Sequence, residues 1–556
     1  MNVKTCASSD VADAWEKIDW NRAKAYVKKL QVRIVKAQQE GKYGKVKSLQ
    51  WMLAHSFYGR ALAVKRVTEN RGKKTAGVDG ELWATPKRKY EAILQLKRKG
   101  YKPLPLKRVY IPKKNGKKRP LSIPATHDRA MQMLYKFALE PIAEITADPN
   151  SYGFRAGRCV QDAIEQCVTC LNKAKSPKWV LEGDIKGCFD NISHEWIMGN
   201  IPMDKEILHK WLKCGYIETK KLFPTEQGAP QGSPISPTIC NMVLDGLEIR
   251  IREAYHKTKV HGKAYFPKVN FIRYADDFIV TGESRDILEN GVLPIIRVFM
   301  SERGLELSEE KTVITHITEG FDFLGCNVRW YKDRLLTKPS KKNYKAIVEK
   351  IRKTVKGKPS IRQEDLIRIL NPIIRGWVNF QKYNVSTEAF ERFDFDVWRC
   401  LWRWCVKRHP KKGRKWIAQR YFRRVGTRSW TFSAKCNDKE YLNIIYATDR
   451  KIIRFLKTKS EATPFDPQYD EYFEERDTIR MTREINGRKK LNALYKQQNG
   501  ICPYCGERIT VERGFRVHGF FDNSYREKHM LVHEDCNRKL NLCKKVEAAQ
   551  MENLGL

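Results

Sequence analysis

The sequence predicts a protein of several domains, in which a mixed α and β body is flanked by helical segments. Three observations carry that prediction. At 556 residues the chain is long enough for three or four domains of roughly 150 residues each. Short apolar strands alternate with helical runs between about residues 100 and 330. Beyond Lys338 apolar residues recur at helical spacing, and a short cysteine-containing stretch closes the chain from about residue 498.

Hydrophobic residues make up 41% of the chain and aromatic residues 11%, which allows sizeable cores and excludes wholesale disorder. Lys and Arg total 107 against 64 Asp and Glu, a net charge of +43 with His neutral. An excess of that size excludes an ordinary metabolic enzyme and points to a polyanion partner, of which nucleic acid is the commonest. No apolar run approaches the ~18–20 residues of a spanning helix, so no membrane partner is expected. The stretch from Met1 to Trp20 has no apolar core and carries Asp10, Asp13, Glu16 and Asp19, unlike a secretory signal or an acid-poor transit peptide. The 15 cysteines, odd in number and mostly scattered, suit a reducing compartment.

The individual elements follow from their patterns. Tyr26, Val27, Leu30 and Ile34 recur at helical spacing, as do Val46, Leu49, Leu53 and Phe57 after the Gly41–Gly44 break. Two amphipathic helices are expected there, with Lys and Arg on their outer faces. A turn-rich stretch from Asn70 to Gly80 and a basic loop, Lys113-Lys-Asn-Gly-Lys-Lys-Arg-Pro120, lead into the body. Past Lys338, residues Tyr344, Ile347, Val348, Ile351 and Val355 mark a further helix, and Leu366 to Tyr383 reads as another, broken near Pro372 and Gly376.

From Arg403 to Arg424 there are ten Lys or Arg and no acid, interleaved with Trp404, Trp416, Tyr421 and Phe422. Phosphates neutralise such charges and rings stack on unpaired bases, so the block suits RNA. RNA binding is assigned to Arg403, Lys407, Arg408, Lys411, Lys412, Arg414, Lys415 and Arg420. Trp398, Leu401 and Trp402, at i, i+3 and i+4, are expected in the core instead. Residues from about 440 to 495 show little beyond an acidic patch at Asp466–Asp477.

The strongest local signal is Asn270-Phe-Ile-Arg-Tyr-Ala-Asp-Asp-Phe-Ile-Val-Thr-Gly282. It reads as a β-hairpin with Asp276 and Asp277 at its turn. Flanks this apolar make two like charges costly unless cations neutralise them. Asp184 ends another short apolar strand, Val180-Leu-Glu-Gly-Asp184, with Phe189 five residues on. Two strands bringing Asp184 and Asp276 to one point would suit a two-metal site for in-line phosphoryl transfer, with Mg²⁺ preferring such hard oxygen ligands. At the far end, Cys502-Pro-Tyr-Cys505 and His533-Glu-Asp-Cys536 supply four N/S ligands for a tetrahedral Zn²⁺, with Pro503 and Gly506 favouring the turn. Cys543 is a spare candidate. Cys167-Val-Thr-Cys170 lies in a helical run without a partner pair and reads as packing.

These motifs, in this order, resemble the reverse transcriptases encoded by group II introns, also called maturases. Tyr274-Ala-Asp-Asp277 is similar to their palm hairpin and Asp184-Ile-Lys-Gly-Cys-Phe-Asp-Asn-Ile192 to the preceding carboxylate motif. Gln227-Gly-Ala-Pro-Gln-Gly-Ser-Pro-Ile-Ser-Pro237 resembles the segment that binds nucleotide and template. Leu307-Ser-Glu-Glu-Lys-Thr312 and Phe321-Asp-Phe-Leu-Gly325 resemble the last palm motifs. Arg119-Pro-Leu-Ser-Ile-Pro124 and Ser151-Tyr-Gly-Phe-Arg-Ala-Gly157 resemble the fingers blocks, and Leu370-Asn-Pro-Ile-Ile-Arg-Gly-Trp377 the maturase domain.

The resemblance implies an α+β right-hand polymerase. An N-terminal helical extension and the start of the fingers would span 1–100, fingers and a ferredoxin-like palm 101–335, and a helical maturase (thumb) domain 336–435. A DNA-binding segment would follow over 436–497 and a zinc-binding module over 498–556. Asp184 and Asp276 would ligate two Mg²⁺ with Asp277 in support, and Phe189 would be the steric gate beneath the sugar. Gln231 and Tyr274 would face nucleotide and template, Lys113 and Arg119 the triphosphate, and Lys311 would protonate the departing pyrophosphate.

The implied activity is RNA-directed DNA polymerisation from dNTPs, together with binding of the group II intron RNA to promote splicing, and retromobility at target DNA by target-primed reverse transcription. The implied setting is a cytoplasmic, nucleoid-associated ribonucleoprotein in a bacterial or organellar host. In the family the last module supports an HNH-type nuclease. Here His518 stands alone where two histidines are expected, Lys528 or His529 stands in place of the Asn, and Asn537 replaces the last histidine. A zinc fold without nuclease activity is therefore expected, against a rearranged site of His518, Asp522 and His529. Two other functions compete with this one: a splicing-only cofactor, opposed by the intact carboxylates, and a zinc/HNH endonuclease, opposed by the missing residues.

Overall fold

In the computed structural model, which describes residues 13–112, 116, 118–219, 221–260, 263–436, 440–521 and 526–542, the chain divides into two units. The first is built from the described residues up to Leu336 together with Lys457–Pro467. The second is built from Thr337–Leu456 and the described residues from Gln468. Among the described residues no helix is long and apolar enough to cross a membrane.

In the first unit, Asp19 caps α1 (Trp20–Gln39) by accepting from the amides of Asn21 and Arg22, and Val27, Leu30 and Ile34 are buried at the predicted spacing. Next, α2 (Tyr43–His55) buries Val46, Leu49 and Leu53 but stops short of Phe57, which the periodicity had included. Ser56 takes extended backbone and its hydroxyl accepts from the Gly59 amide, so Phe57 opens α3 (Phe57–Glu69). The boundary was hidden because Phe57 packs against the same core as α2.

Two sheets follow. β1 (Leu106–Pro112) and β2 (Lys118–Ile123) pair antiparallel and precede the buried α4 (Thr126–Thr146) and then α5 (Val160–Leu171). β3 (Trp179–Asp184) enters the second sheet, whereas β4 (Tyr216–Glu218) runs parallel to β1 and β5 (Lys221–Phe223) closes the first as β2-β1-β4-β5. After α6 (Ser236–Leu244) come β6 (Asn270–Tyr274), β7 (Asp277–Gly282), α7 (Leu293–Ser301) and β8 (Val313–His316). The second sheet runs β8-β3-β7-β6, antiparallel throughout. Phe271, Ile272, Phe278, Ile279 and Val280 are all buried, so this hairpin is covered on both faces.

Lys457–Pro467 returns to the first unit. The Thr458 amide donates to Asp162 Oδ1 at 2.6 Å, and Arg158 donates to the carbonyl of Ala462 at 3.3 Å. The stretch 436–497, expected as one segment, is thus divided between the two units by backbone groups that α5 and its leading loop satisfy.

The second unit opens with α8 (Lys341–Lys356), α9 (Gln363–Gln381), α10 (Thr387–Arg408) and α11 (Arg414–Tyr421). Contrary to the expected break, α9 runs unbroken through Pro372 and Gly376. Its buried face of Leu366, Ile367, Leu370, Ile374, Trp377 and Val378 outweighs the one backbone hydrogen bond that proline removes. Leu401 and Trp404 fill the core, while Trp398 and Trp402 stack on each other at 6.0 Å, half-buried at its edge. A small sheet of β9 (Phe422–Val425), β10 (Arg428–Lys435) and β11 (Tyr441–Asn443) extends this core past residue 435. The acidic patch becomes the start of α12 (Asp470–Ile485), where Asp470 and Glu471 suit the positive end of the helix dipole. Beyond α12 the second unit has α13 (Lys489–Gln497) and the antiparallel pair β12 (Phe515–Phe521) and β13 (Glu527–His533).

Candidate active site

Asp184 is the last residue of β3 and lies opposite Asp277, the first of β7, in the ladder of the second sheet. Asp276 sits in the turn between β6 and β7. Adjacent strands thus bring three carboxylates to one end of the sheet. Two glycines make the close approach possible. A Cβ on Gly183 would lie 2.2 Å from the Phe278 ring, and one on Gly153 would lie 2.3 Å from the Ala275 nitrogen. Ala275 itself holds φ +57°, a left-handed conformation that costs a residue with a Cβ about 1 kcal/mol.

The turn is also gripped from below. Arg273, fully buried, donates to the Ala275 carbonyl and to Asn241 Oδ1, each at 3.3 Å, and pairs with Asp245. Asn241 in turn donates to the Gly153 carbonyl at 2.7 Å. Sequence reasoning passed over these residues. The available signal was a lone arginine inside an apolar strand, which must find a partner when buried.

Burial raises the Asp276 carboxyl above the ordinary range, and Asp184 adds to the rise while Arg119 and Lys311 oppose it. Burial, followed by the charges of Asp276 and Asp184, pushes Asp277 up to about 6 although its side chain opens onto solvent at the rim. Lys311 Nζ donates to Asp184 Oδ2 at 2.6 Å, and that hydrogen bond raises its pKa.

A cleft of about 770 Å³ opens beside this strand end, lined by Asp184, Asp276, Lys311, Phe189, Gln231 and Arg119 among others. Phe189 is held by the loop that carries Gln231. The Ala229 amide donates to the Phe189 carbonyl at 2.7 Å, and Gly228 (φ +88°) would put a Cβ 2.6 Å from the Asp190 carbonyl oxygen. The Gln231 carbonyl accepts from the Ser122 amide at 2.7 Å, tying the loop to β2. Tyr274 pairs with Asp277 across the hairpin and is not among the described residues lining the cleft. Lys113 lies outside the described residues.

The eight basic residues assigned to RNA are all exposed, on α10, on α11 and in the turn between them. Arg408 also donates to the Ile361 carbonyl at 2.5 Å, fixing the end of α10. Trp416 is exposed, and Lys412 lies 5.4 Å from its ring centre.

Cys502, Cys505, His533 and Cys536 converge, with their ligand atoms all within 4.8 Å of one another. His533 Nε2 lies 3.0 Å from the Arg508 carbonyl, the position of a donor, which leaves Nδ1 facing Cys505 Sγ at 3.4 Å and Cys536 Sγ at 3.8 Å. Gly506 supplies the turn at φ +68°. Cys543 lies outside the described residues, as does Asp522. His518 pairs with Met530 and His529 with Gly519, so the two imidazoles leave opposite faces of the β12–β13 ribbon. His518 is buried, with Nδ1 3.0 Å from Asn537 Oδ1.

Residues 111–328 match the family model described as reverse transcriptase (RNA-dependent DNA polymerase), which sets the class of protein. Residues 15–96 match the N-terminal domain of reverse transcriptase and 344–422 the group II intron maturase-specific domain. Protein YkfC of Escherichia coli is 32% identical over 299 residues, 48% of this chain and 78% of that protein. The group II intron-encoded protein LtrA of Lactococcus lactis is 30% identical over 330 residues, 48% of this chain and 54% of LtrA, so the match spans about half of that relative. Maturase-like protein 1 of Euglena gracilis is 24% identical over 378 residues, 66% of this chain and 77% of that protein. The chain belongs to the group II intron reverse transcriptase/maturase family.

Proposed function

We propose that the chain copies RNA into DNA at the β3–β7 strand end, with two Mg²⁺ held by Asp184 and Asp276 and supported by Asp277. The carrying observation is that Asp184 and Asp276, brought to one strand end beside Asp277, line a cleft that also holds Lys311, Phe189, Gln231 and Arg119. The donor set fits hard divalent cations. Burial and the neighbouring carboxylates raise two of the carboxyls, and an ammonium already pairs with the third. When bound, such ions supply Lewis-acid activation of a primer hydroxyl and neutralise triphosphate charge.

The protein's own groups orient the substrates. Arg119 and Lys113 hold the triphosphate, Phe189 fills the space a 2′-hydroxyl would need, and Gln231 fixes the nucleotide–template side. Lys311 Nζ gives its proton to the leaving pyrophosphate oxygen. On this reading the β8-β3-β7-β6 sheet is a ferredoxin-like palm, β1 and β2 belong to the fingers, and α8–α11 form the thumb. The exposed basic residues of α10 and α11 hold intron RNA and the primer–template, and the same chain promotes splicing and integration at target DNA.

The Cys₃His cluster holds a structural Zn²⁺: three thiolates and a histidine whose other nitrogen is anchored make a closed tetrahedral donor set. With His518 and His529 on opposite faces of the ribbon and Asn537 bonded to His518, nuclease activity is lost; cleavage of duplex target by the purified ribonucleoprotein would overturn this point.

Primer extension with dNTPs on an RNA template in Mg²⁺ tests the polymerase. Asp276→Ala is expected to abolish extension while RNA binding persists. Extension surviving in that variant refutes the carboxylate assignment, and no extension by the natural protein despite tight RNA binding favours a splicing-only cofactor.

A further inference from the structure

The groups that hold the Ala275–Asp276 turn come from three separate parts of the chain. Arg273 lies in β6, whose backbone is itself fixed: its amide donates to the Asn150 carbonyl and its carbonyl accepts from the Tyr152 amide, each at 2.9 Å. Its guanidinium, with none of its surface exposed, reaches the Ala275 carbonyl and Asn241 Oδ1 with one nitrogen and Asp245 with the other. Asn241 and Asp245 are four residues apart, Asn241 in α6 and Asp245 at its C-cap, and that helix begins at Ser236 within the Gln227–Pro237 stretch. Asn241 also bonds the Gly153 carbonyl, and Gly153 packs against the opposite side of the turn at Ala275. A left-handed, Cβ-bearing residue is thus held at its carbonyl by a buried cation and crowded at its nitrogen by a glycine.

A buried charge is costly, and an apolar residue at 273 would fill the strand but leave the buried Asp245 carboxylate without its cation. What the arginine adds is direction: a planar fork with fixed donor angles that can bind a helix end and a turn carbonyl together. We propose that Arg273, with Asn241 and Asp245, is a positioning residue that sets the metal affinity of the active site by fixing the turn that presents Asp276. This rests on the assignment of Asp276 as a metal ligand. The device also joins the two halves of the site, because α6 carries the partners of Arg273 at one end and follows the Gln231 loop at the other. A shift of that loop would therefore be felt at the carboxylate.

The test is Mn²⁺ titration of the full-length protein, followed by the electron paramagnetic resonance of free Mn²⁺. It compares the natural chain with Asp276→Asn, Arg273→Lys, Arg273→Met and the milder Asp245→Asn, with circular dichroism and thermal melts alongside. The expected result is loss of the competent site in Asp276→Asn and weakening by about ten- to a hundred-fold in the Arg273 variants, the range typical of groups that orient metal ligands. Half-saturating Mg²⁺ in primer extension should rise in parallel, with the KM for dNTP changing less. Adding Ala275→Gly to Arg273→Lys should recover part of the affinity, since glycine takes the left-handed turn without the clamp. If the Arg273 variants fail to fold, Asp245→Asn carries the test. Mn²⁺ affinity unchanged in a folded variant with a lowered Tm overturns the proposal and leaves a purely structural ion pair. Natural Mn²⁺ affinity in Asp276→Asn overturns the metal assignment itself, and with it the proposal, whatever the Arg273 variants do.

Discussion

Gly153→Ala is the smallest change that should reach the catalytic turn. The Cβ it adds would lie 2.3 Å from the Ala275 nitrogen, 2.9 Å from the Tyr274 carbonyl carbon and 3.0 Å from the Ala275 Cβ. Two of these atoms are backbone, so no flexible side chain can swing aside. Ordinary contact begins at 3.4 Å, and opening 2.3 Å to that distance moves the Asp276 turn or the Gly153 turn by roughly 1 Å. Arg273 and Asn241 bind both sides of the gap, so the added atom pushes directly on the turn that presents Asp276. A misplacement of ~1 Å in a reacting constellation costs about 100-fold in rate, equivalent to about 2.7 kcal/mol of barrier. Single-turnover primer extension at saturating dNTP should show that loss in the chemical step, with primer–template affinity within a few-fold of the natural protein. Gly199→Ala serves as the control. Its Cβ meets nothing within 4 Å, and in a helix it should be neutral or stabilise by up to about 1 kcal/mol. A Gly153→Ala protein that melts lower yet keeps its single-turnover rate within twofold would refute the claim that this glycine sets the carboxylate.

Three further outcomes are expected. Cys505→Ser should lower bound zinc from one ion per chain and open residues 498–542 to protease, while primer extension continues; zinc analysis and limited proteolysis read both. Asp277, ordinarily near 3.8, stands at about 6 in the folded chain. An acid raised on folding contributes stability below its unfolded value and loses it as pH climbs through its folded value, so metal-free protein should weaken from about pH 4 to pH 6. The rise in Tm on adding Mg²⁺ should grow across that window, and a rise flat in pH would count against ionised carboxylates as ligands. Lys411→Ala, Lys412→Ala and Lys415→Ala combined should flatten the salt dependence of RNA binding, by about 0.7 in log–log slope for each single-strand phosphate that is no longer neutralised. An unchanged slope would remove those lysines from the interface.

The parts of the chain that were legible in advance are those whose chemistry is local. Asp276 and Asp277 stood out because charges are rare inside an apolar run, and the Cys502–Cys505 and His533–Cys536 pairs because ligand spacing is a short-range property. Helices α1 and α8 follow a stripe of apolar residues and so appear directly in the periodicity. What stayed hidden depends on partners distant in sequence. The Ser56 cap, the uninterrupted α9 across Pro372 and the return of Lys457–Pro467 to the first unit are each decided by packing or by a hydrogen bond that no local window contains. The same holds for the clamp on Ala275, whose members at 153, 241, 245 and 273 are joined only by the fold.

The charge distribution gives the site its logic. A net charge of +43 draws nucleic acid in over long range, and the exposed cations of α10 and α11 suit such a partner. At the end of β3 and β7 the sign reverses: three carboxylates gather there and two of them, Asp184 and Asp276, line the cleft, with Lys311 bound to Asp184 and Arg119 close by. Phosphates attracted to the surface would be repelled from that point until cations neutralise it. Template binding and alignment for chemistry are thereby separable, the first set by surface charge and the second by metal loading. That separation is why Asp276→Ala is expected to bind RNA as tightly as the natural chain while extending nothing, and why the groups that hold the Asp276 turn should alter Mg²⁺ dependence well before they alter RNA affinity.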